Sequence, residues 1–415
     1  MKKTVYLGLT ILAINFLFIG NFFPFITSVW AHNYYVAMNG NDSNNGSINA
    51  PWATILYAWK HSTGGDTVFV KEGTYSTAEL WLQGNKNNFW TLKAINNKVV
   101  FSNTRFIVDA NYVRIQGFHF IGSSFVQSVS WGGMHEHIEF IDNYITSSSS
   151  VSLYIMGNNS LVQGNRIEPV SAVHGIYVMH GNNNVIRNNN VKGVSKYGIH
   201  VYDENKYNHT AQITNLLIEN NTVINSQTRS GIIISAGESL GSAILIDGVV
   251  VRNNILINNG SDGISIRYYG TVRNIGIYNN TIYGNTPCGL RISSYDVDNV
   301  KVINNIFSNT NGQHIEVSTS MTNFIVSHNL YWQPMTIGSG INDSHAVKQD
   351  PVFVNAGQGD FYLMGNSPAI DAGLDVGIPY GGVAPDLGAF EYGGIQPPPN
   401  EAPAVPENVR LEEGE

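Results

Sequence analysis

The chain has 415 residues and a single cysteine, Cys288. One thiol cannot form an internal disulfide, so repeated packing or bound metal must hold a structure of this size. Cys288 itself, just ahead of an apolar strand, is expected to be an inert buried thiol. Charge is also scarce, since 13% of the residues are charged and 22 basic side chains face 30 acidic ones. The basic groups form no stripe, which argues against a nucleic-acid partner. The mild net charge of -8 leaves neutral and anionic glycans open. Long apolar runs are absent after His32, so the mature part is expected to be soluble, and it is long enough to bury a large core. The one long run, from about Val5 to Ile26, follows Lys2 and Lys3 and leads to Val29-Trp30-Ala31. That pattern predicts a secretory signal over residues 1–31 and no membrane contact after cleavage; a retained anchor is the alternative. Either places the remainder outside the cytoplasm. Proline gathers at the far end, where residues 396–415 read as an extended linker to a further module.

What the chain has in abundance is asparagine in a recurring apolar setting. Asn143, Asn165, Asn189, Asn221, Asn254, Asn280, Asn305 and Asn329 each follow a short β-branched stretch and precede another. The intervals between them are 22, 24, 32, 33, 26, 25 and 24 residues, which fit no helical pattern. A step of 22 to 26 residues holds three short strands and three turns, hence one coil of a solenoid whose coils stack about 4.8 Å apart. The asparagines then form a ladder at one corner, bonding to each other and to turn backbone. The expectation is an all-β parallel β-helix of about ten coils over residues 65–335. Residues 32–64 form an entry segment with a capping helix near Ile55 to His61, and residues 336–395 close the structure. Both ends are expected to cover the open core, and the protein to act as a monomer.

A second strand aligns in the same coils, opening at Ser152, Gly175, Gly198, Gly231, Gly263, Gly289 and His314. Its second and fourth positions are nearly all Ile, Val or Leu and face inward; the third and fifth face outward. The third positions read Tyr154, Tyr177, His200, Ile233, Ser265, Arg291 and Glu316. The fifth read Met156, Met179, Tyr202, Ser235, Arg267, Ser293 and Ser318. The two long intervals imply insertions after Tyr202, carrying Lys206 and His209, and after Ser235. Loops leaving adjacent coils would wall a groove near His200.

These repeats resemble the pectin-lyase-like right-handed β-helix superfamily. Tyr34 to Asp42, Pro51 to Ile55 and Gly65 to Tyr75 are similar to the entry segment of its bacterial exported members. Asp350-Pro351, Ser367 to Gly373 and Pro385 to Glu391 are similar to their closing element. The run Tyr197-Gly198-Ile199-His200-Val201-Tyr202-Asp203 also resembles the Tyr-Gly-(Phe/Ile)-Asp-Pro-His-(Asp/Glu) motif of alginate epimerases. Tyr197, Gly198, Ile199 and Asp203 match it; His200 stands where that family has its Asp, and Tyr202 where it has its His. Strict alternation turns Tyr197 inward unless the turn before Gly198 rotates it. The resemblance implies a secreted protein acting on an extracellular polysaccharide, with calcium as a helper; Asp203 and Glu204 are the candidate ligands.

Proton abstraction from a uronate needs its carboxylate neutralised and a base beside it. His200 and Tyr202, with Tyr197, are the candidate bases, and Arg267 and Arg291 the candidate carboxylate clamps. Tyr154, Tyr177, His174, His180, Lys206 and His209 are candidates for substrate contact, the aromatic ones as a stacking platform. Lyase or epimerase chemistry on a uronate polymer is the leading expectation. A non-catalytic glycan-binding solenoid is the alternative. A glycoside hydrolase ranks lower because, Asp262 apart, the outward ladder is short of acids.

Overall fold

The computed structural model describes residues 31–122, 125–128, 135–146, 151–168, 172–203, 212–237 and 244–394. The expected signal segment, the linker, both insertions, and Glu204, Lys206 and His209 lie outside the described residues.

Valine, isoleucine and alternating polar residues between left-handed turns produce short strands that stack only in parallel. One face of the solenoid is an eleven-stranded sheet running from Gly73–Tyr75 to Leu330–Trp332. The other faces form a single 21-stranded sheet, because long strands such as Ile264–Tyr278 and Leu290–Ile303 carry pairing through the corner. Ile176, Ile199, Ile232, Ile264, Leu290 and Ile315 stack at one level of the core with no exposure, and Val178, Val201, Ile234, Ile266 and Ile292 at another. Each such side chain contributes about 1.5–3 kcal/mol relative to leaving it in water.

The asparagine ladder is complete. The Oδ1 of Asn221 accepts from the backbone N of Asn189 at 3.0 Å and from its Nδ2 at 2.9 Å, while its own Nδ2 donates to the Ile186 carbonyl at 2.8 Å. The same pattern links all eight rungs, and Asp343 ends it by accepting from the N and Nδ2 of Asn329. The residue just before most rungs is a second asparagine, at 188, 220, 253, 279 and 304, with φ between 50° and 61°. Asn tolerates this left-handed backbone better than other side-chain-bearing residues, which explains the repeated Asn-Asn pairs.

At the N-terminal end, the helix Ile55–His61 buries Ile55, Ala58 and Trp59 against the core, with Thr54 capping it by accepting from the Tyr57 N–H. At the other end, Ile337, Ile341 and Ala346 join the main core. The rest of the closing segment does not cover that end. It folds back along the flank, where Leu363, Ala369 and Leu387 pack on Ile306 and Leu330, and the Asn304 amide bonds to Leu374. Its antiparallel pair, Phe353–Asn355 with Asp360–Leu363, stands apart from the parallel sheets. The flank is greasy at these coils, with Ile255 and Ile257 also covered by Phe361 and Ala389, so burying it outweighs thickening the cap.

Candidate active site

The outward ladder has the register that alternation demands. Tyr154 pairs with Tyr177, Tyr177 with His200, His200 with Ile233, Ile233 with Ser265, Ser265 with Arg291, and Arg291 with Glu316. The fifth position runs Tyr202, Ser235, Arg267, Ser293, but a register shift after Ile155 pairs Met156 with His180 rather than Met179. The turns before these strands come unusually close. A Cβ on Gly198 would lie 2.8 Å from the Gly231 carbonyl, and one on Gly231 2.9 Å from that of Gly263. Absence of side chains there lets the residues just ahead lean over the sheet. Tyr197 therefore turns outward.

His174, Tyr177, Lys196, Tyr197, His200, Tyr202, Arg229, Ser235 and Tyr268 enclose a pocket of about 270 Å³. Inside it the rings are layered. His200 stacks on Tyr177 at 4.4 Å and on Tyr202 at 5.4 Å, and His174 stacks on Tyr197 at 5.4 Å. Tyr268 holds a φ of 77°, an uncommon backbone for a bulky residue, and stands beside Tyr197 in the pocket wall. Strain of this kind persists only where surrounding structure enforces it, and it is concentrated at functional sites.

Burial, reinforced by His174 and Lys196, holds the His200 imidazole well below its ordinary value. Burial and then Lys196 push His174 down to about 4. Both rings are therefore neutral near pH 7. Burial, followed by neighbouring Tyr268, raises Tyr197, so its hydroxyl keeps its proton near pH 7 and can donate rather than accept one. The Nδ1 atoms of His174 and His200 and the Oγ of Ser235 are buried with no hydrogen-bond partner. Buried polar groups are normally satisfied, and three of the five such unpartnered atoms among the described residues belong to residues lining this pocket. Lys196 and Arg229 are exposed at its rim, neither paired with a carboxylate among the described residues.

Several expected roles do not survive this geometry. Arg267 and Arg291 are not free clamps. Both guanidiniums converge on the fully buried Asp262, at 2.7 Å and 3.1 Å, and Arg291 also pairs with Glu316. Two positive and two negative charges cancel there, and Asp262 is consumed as an acid as well. His180 and Asp203 are not exposed ligands: they form a buried pair at 2.6 Å, with side-chain exposures of 2% and 1%. Tyr177 is 3% exposed and packs with Val151, Met156 and Met179, so it supports His200 from beneath and offers no open platform. Tyr154 leans on it at 5.3 Å. Nor do the described residues of the pocket suit calcium, Glu204 lying outside them. Calcium takes about six to eight oxygens, carboxylates prominent among them. The pocket lining offers no carboxylate and two cations. Among the described residues no three His, Cys, Asp or Glu side chains gather as a metal site.

Lys196, Arg229 and Tyr268 are the contributors that strand alignment overlooked, while Ser235, placed on the outward line, was given no role. A signal existed for the first two, since each stands two residues before an aligned glycine, Gly198 or Gly231. Tyr268 had none, because its position depends on a backbone reversal. Cys288 is buried, its thiol pushed up to about 12 by burial first and by its bond to Glu316 second, which leaves it unreactive.

A family model described as right handed beta helix region matches residues 82–243 and 211–371. The chain belongs to the right-handed β-helix family. The winding of this β-helix is accordingly right-handed. Residues 38–80 match a second model, a protein of unknown function, DUF1565. The uncharacterized protein YwoF of Bacillus subtilis is 24% identical, with 81% of this chain and 91% of that protein covered. Among solved structures, pectate lyase Pel9A superposes with a TM-score of 0.59 at 19% identity, covering 88% of this chain and 97% of that chain. That likeness establishes shared architecture.

Proposed function

We propose that this β-helix is a secreted lyase of an anionic, uronate-containing polysaccharide, acting in the pocket around His200. The observation that carries the reading is the pairing of two cations, Lys196 and Arg229, which no carboxylate neutralises among the described residues, with a neutral imidazole whose Nδ1 has no partner there. A uronate carboxylate placed between Lys196 and Arg229 would have its charge balanced, which acidifies the adjacent C–H. His200 accepts that proton, and the bound carboxylate counteracts the burial that otherwise disfavours the imidazolium. Loss of the proton expels the glycosidic oxygen at the neighbouring carbon, leaving an unsaturated uronate. Tyr197, protonated near pH 7, is the proton donor to the departing oxygen. Return of a proton to the same carbon from the opposite face would give epimerisation instead. The pectate lyase of matching architecture is consistent with this class of substrate.

The test is a screen of pectate, alginate and other uronate polymers, followed by ultraviolet absorbance of the unsaturated product. Wild type should generate absorbance and His200→Ala should not, whereas Tyr202→Phe should retain it. Equal activity in wild type and His200→Ala sinks the assignment. Binding of polymer without chain shortening or absorbance would instead favour a glycan-binding solenoid.

A further inference from the structure

Beyond the pocket rim, Tyr269 and Tyr295 form a stacked pair with ring centroids 4.7 Å apart and planes tilted by 23°. Tyr295 is 66% exposed, more than any other aromatic side chain among the described residues. Tyr269 directly follows Tyr268 of the pocket, and Tyr295 follows Ser294, the register partner of Tyr268. Neighbouring Asp296 is turned onto the Thr271 hydroxyl at 2.7 Å. Leaving Tyr295 exposed on a half-buried Tyr269 has a cost that nothing in the core recovers, whereas the apolar face of a sugar ring would cover the pair.

Distance decides what such a platform is for. Tyr295 lies three rungs from His200 along the solenoid and four residues further along its strand. At about 4.8 Å per rung and 3.3 Å per residue the separation is roughly 20 Å. One sugar in the pocket cannot reach that far, but an oligosaccharide can. We infer that Tyr269 and Tyr295 form a remote stacking subsite for the same uronate chain, which makes this a protein that grips the interior of a polymer rather than a terminal sugar. The inference rests on the proposed use of the His200 pocket.

The experiment is calorimetric binding of uronate trimers and heptamers, from pectate and from alginate, to wild type, Tyr295→Ala, Tyr295→Phe and the Tyr269→Ala/Tyr295→Ala double variant. Wild type should bind the heptamer at least about tenfold more tightly than the trimer. The double variant should lose that advantage while its trimer affinity stays unchanged, and Tyr295→Phe should retain it. An unchanged heptamer-to-trimer ratio in the double variant overturns the subsite and leaves the pocket standing. Failure of wild type to bind any of the four oligomers overturns both.

Discussion

Replacing Asn221 with leucine, a side chain of similar size, tests the ladder that carries the fold. Two buried groups lose partners: the backbone N–H of Asn189, which donated to Asn221 Oδ1, and the Ile186 carbonyl, which accepted from its Nδ2. The Asn189 amide keeps its bond to the Val162 carbonyl, and Asn254 Oδ1 keeps the Asn221 N–H, so neither adds to the cost. At about 1–3 kcal/mol for each orphaned buried group, the substitution should destabilise by roughly 2–6 kcal/mol. Asn220, the adjacent and chemically identical residue, is the control. It supplies a left-handed φ of 54° and no ladder bond, so Asn220→Gly should stay within about 1 kcal/mol of wild type. Guanidinium denaturation followed by circular dichroism reads both. If Asn221→Leu and Asn220→Gly shift the midpoint equally, the ladder is ornamental and the reasoning fails.

Lys196→Ala and Arg229→Ala should each weaken retention in pectate- or alginate-containing gels about tenfold, and added salt should weaken wild type in the same direction; unaltered mobility would remove the cationic rim from the account. Asp262→Asn leaves Arg267 and Arg291 without their shared buried charge and should destabilise by about 3 kcal/mol, read as a lower denaturant midpoint; no change would mean the guanidiniums find water instead. Burial pushes His314 down to about 4 against an ordinary 6.5, partly offset by its bond to the Pro334 carbonyl. Above pH 6.5 the group is neutral folded or unfolded, but between 6.5 and about 4 the unfolded chain takes up a proton that the folded one refuses. Stability should therefore fall by roughly 3 kcal/mol as pH drops through that window, and His314→Gln should flatten the decline in a melting series across pH.

Period and repetition made the scaffold legible in the chain alone. A strand has a period of two, so aligning seven strands placed Tyr154, Tyr177, His200, Ser265 and Arg291 on one outward line, and the register agrees rung by rung. The asparagine ladder was equally readable, because each rung needs the same side chain in the same setting. The turns were not, since their paths depend on left-handed residues and on how closely successive glycines let coils approach. Lys196, Arg229 and Tyr268 entered the pocket that way. Nor could the chain alone say which charges remain available. Arg267 and Arg291 look like clamps until Asp262, three residues before Ser265, is seen to be buried between them. Charge balance is a property of neighbours in space, and only the stacked coils decided it.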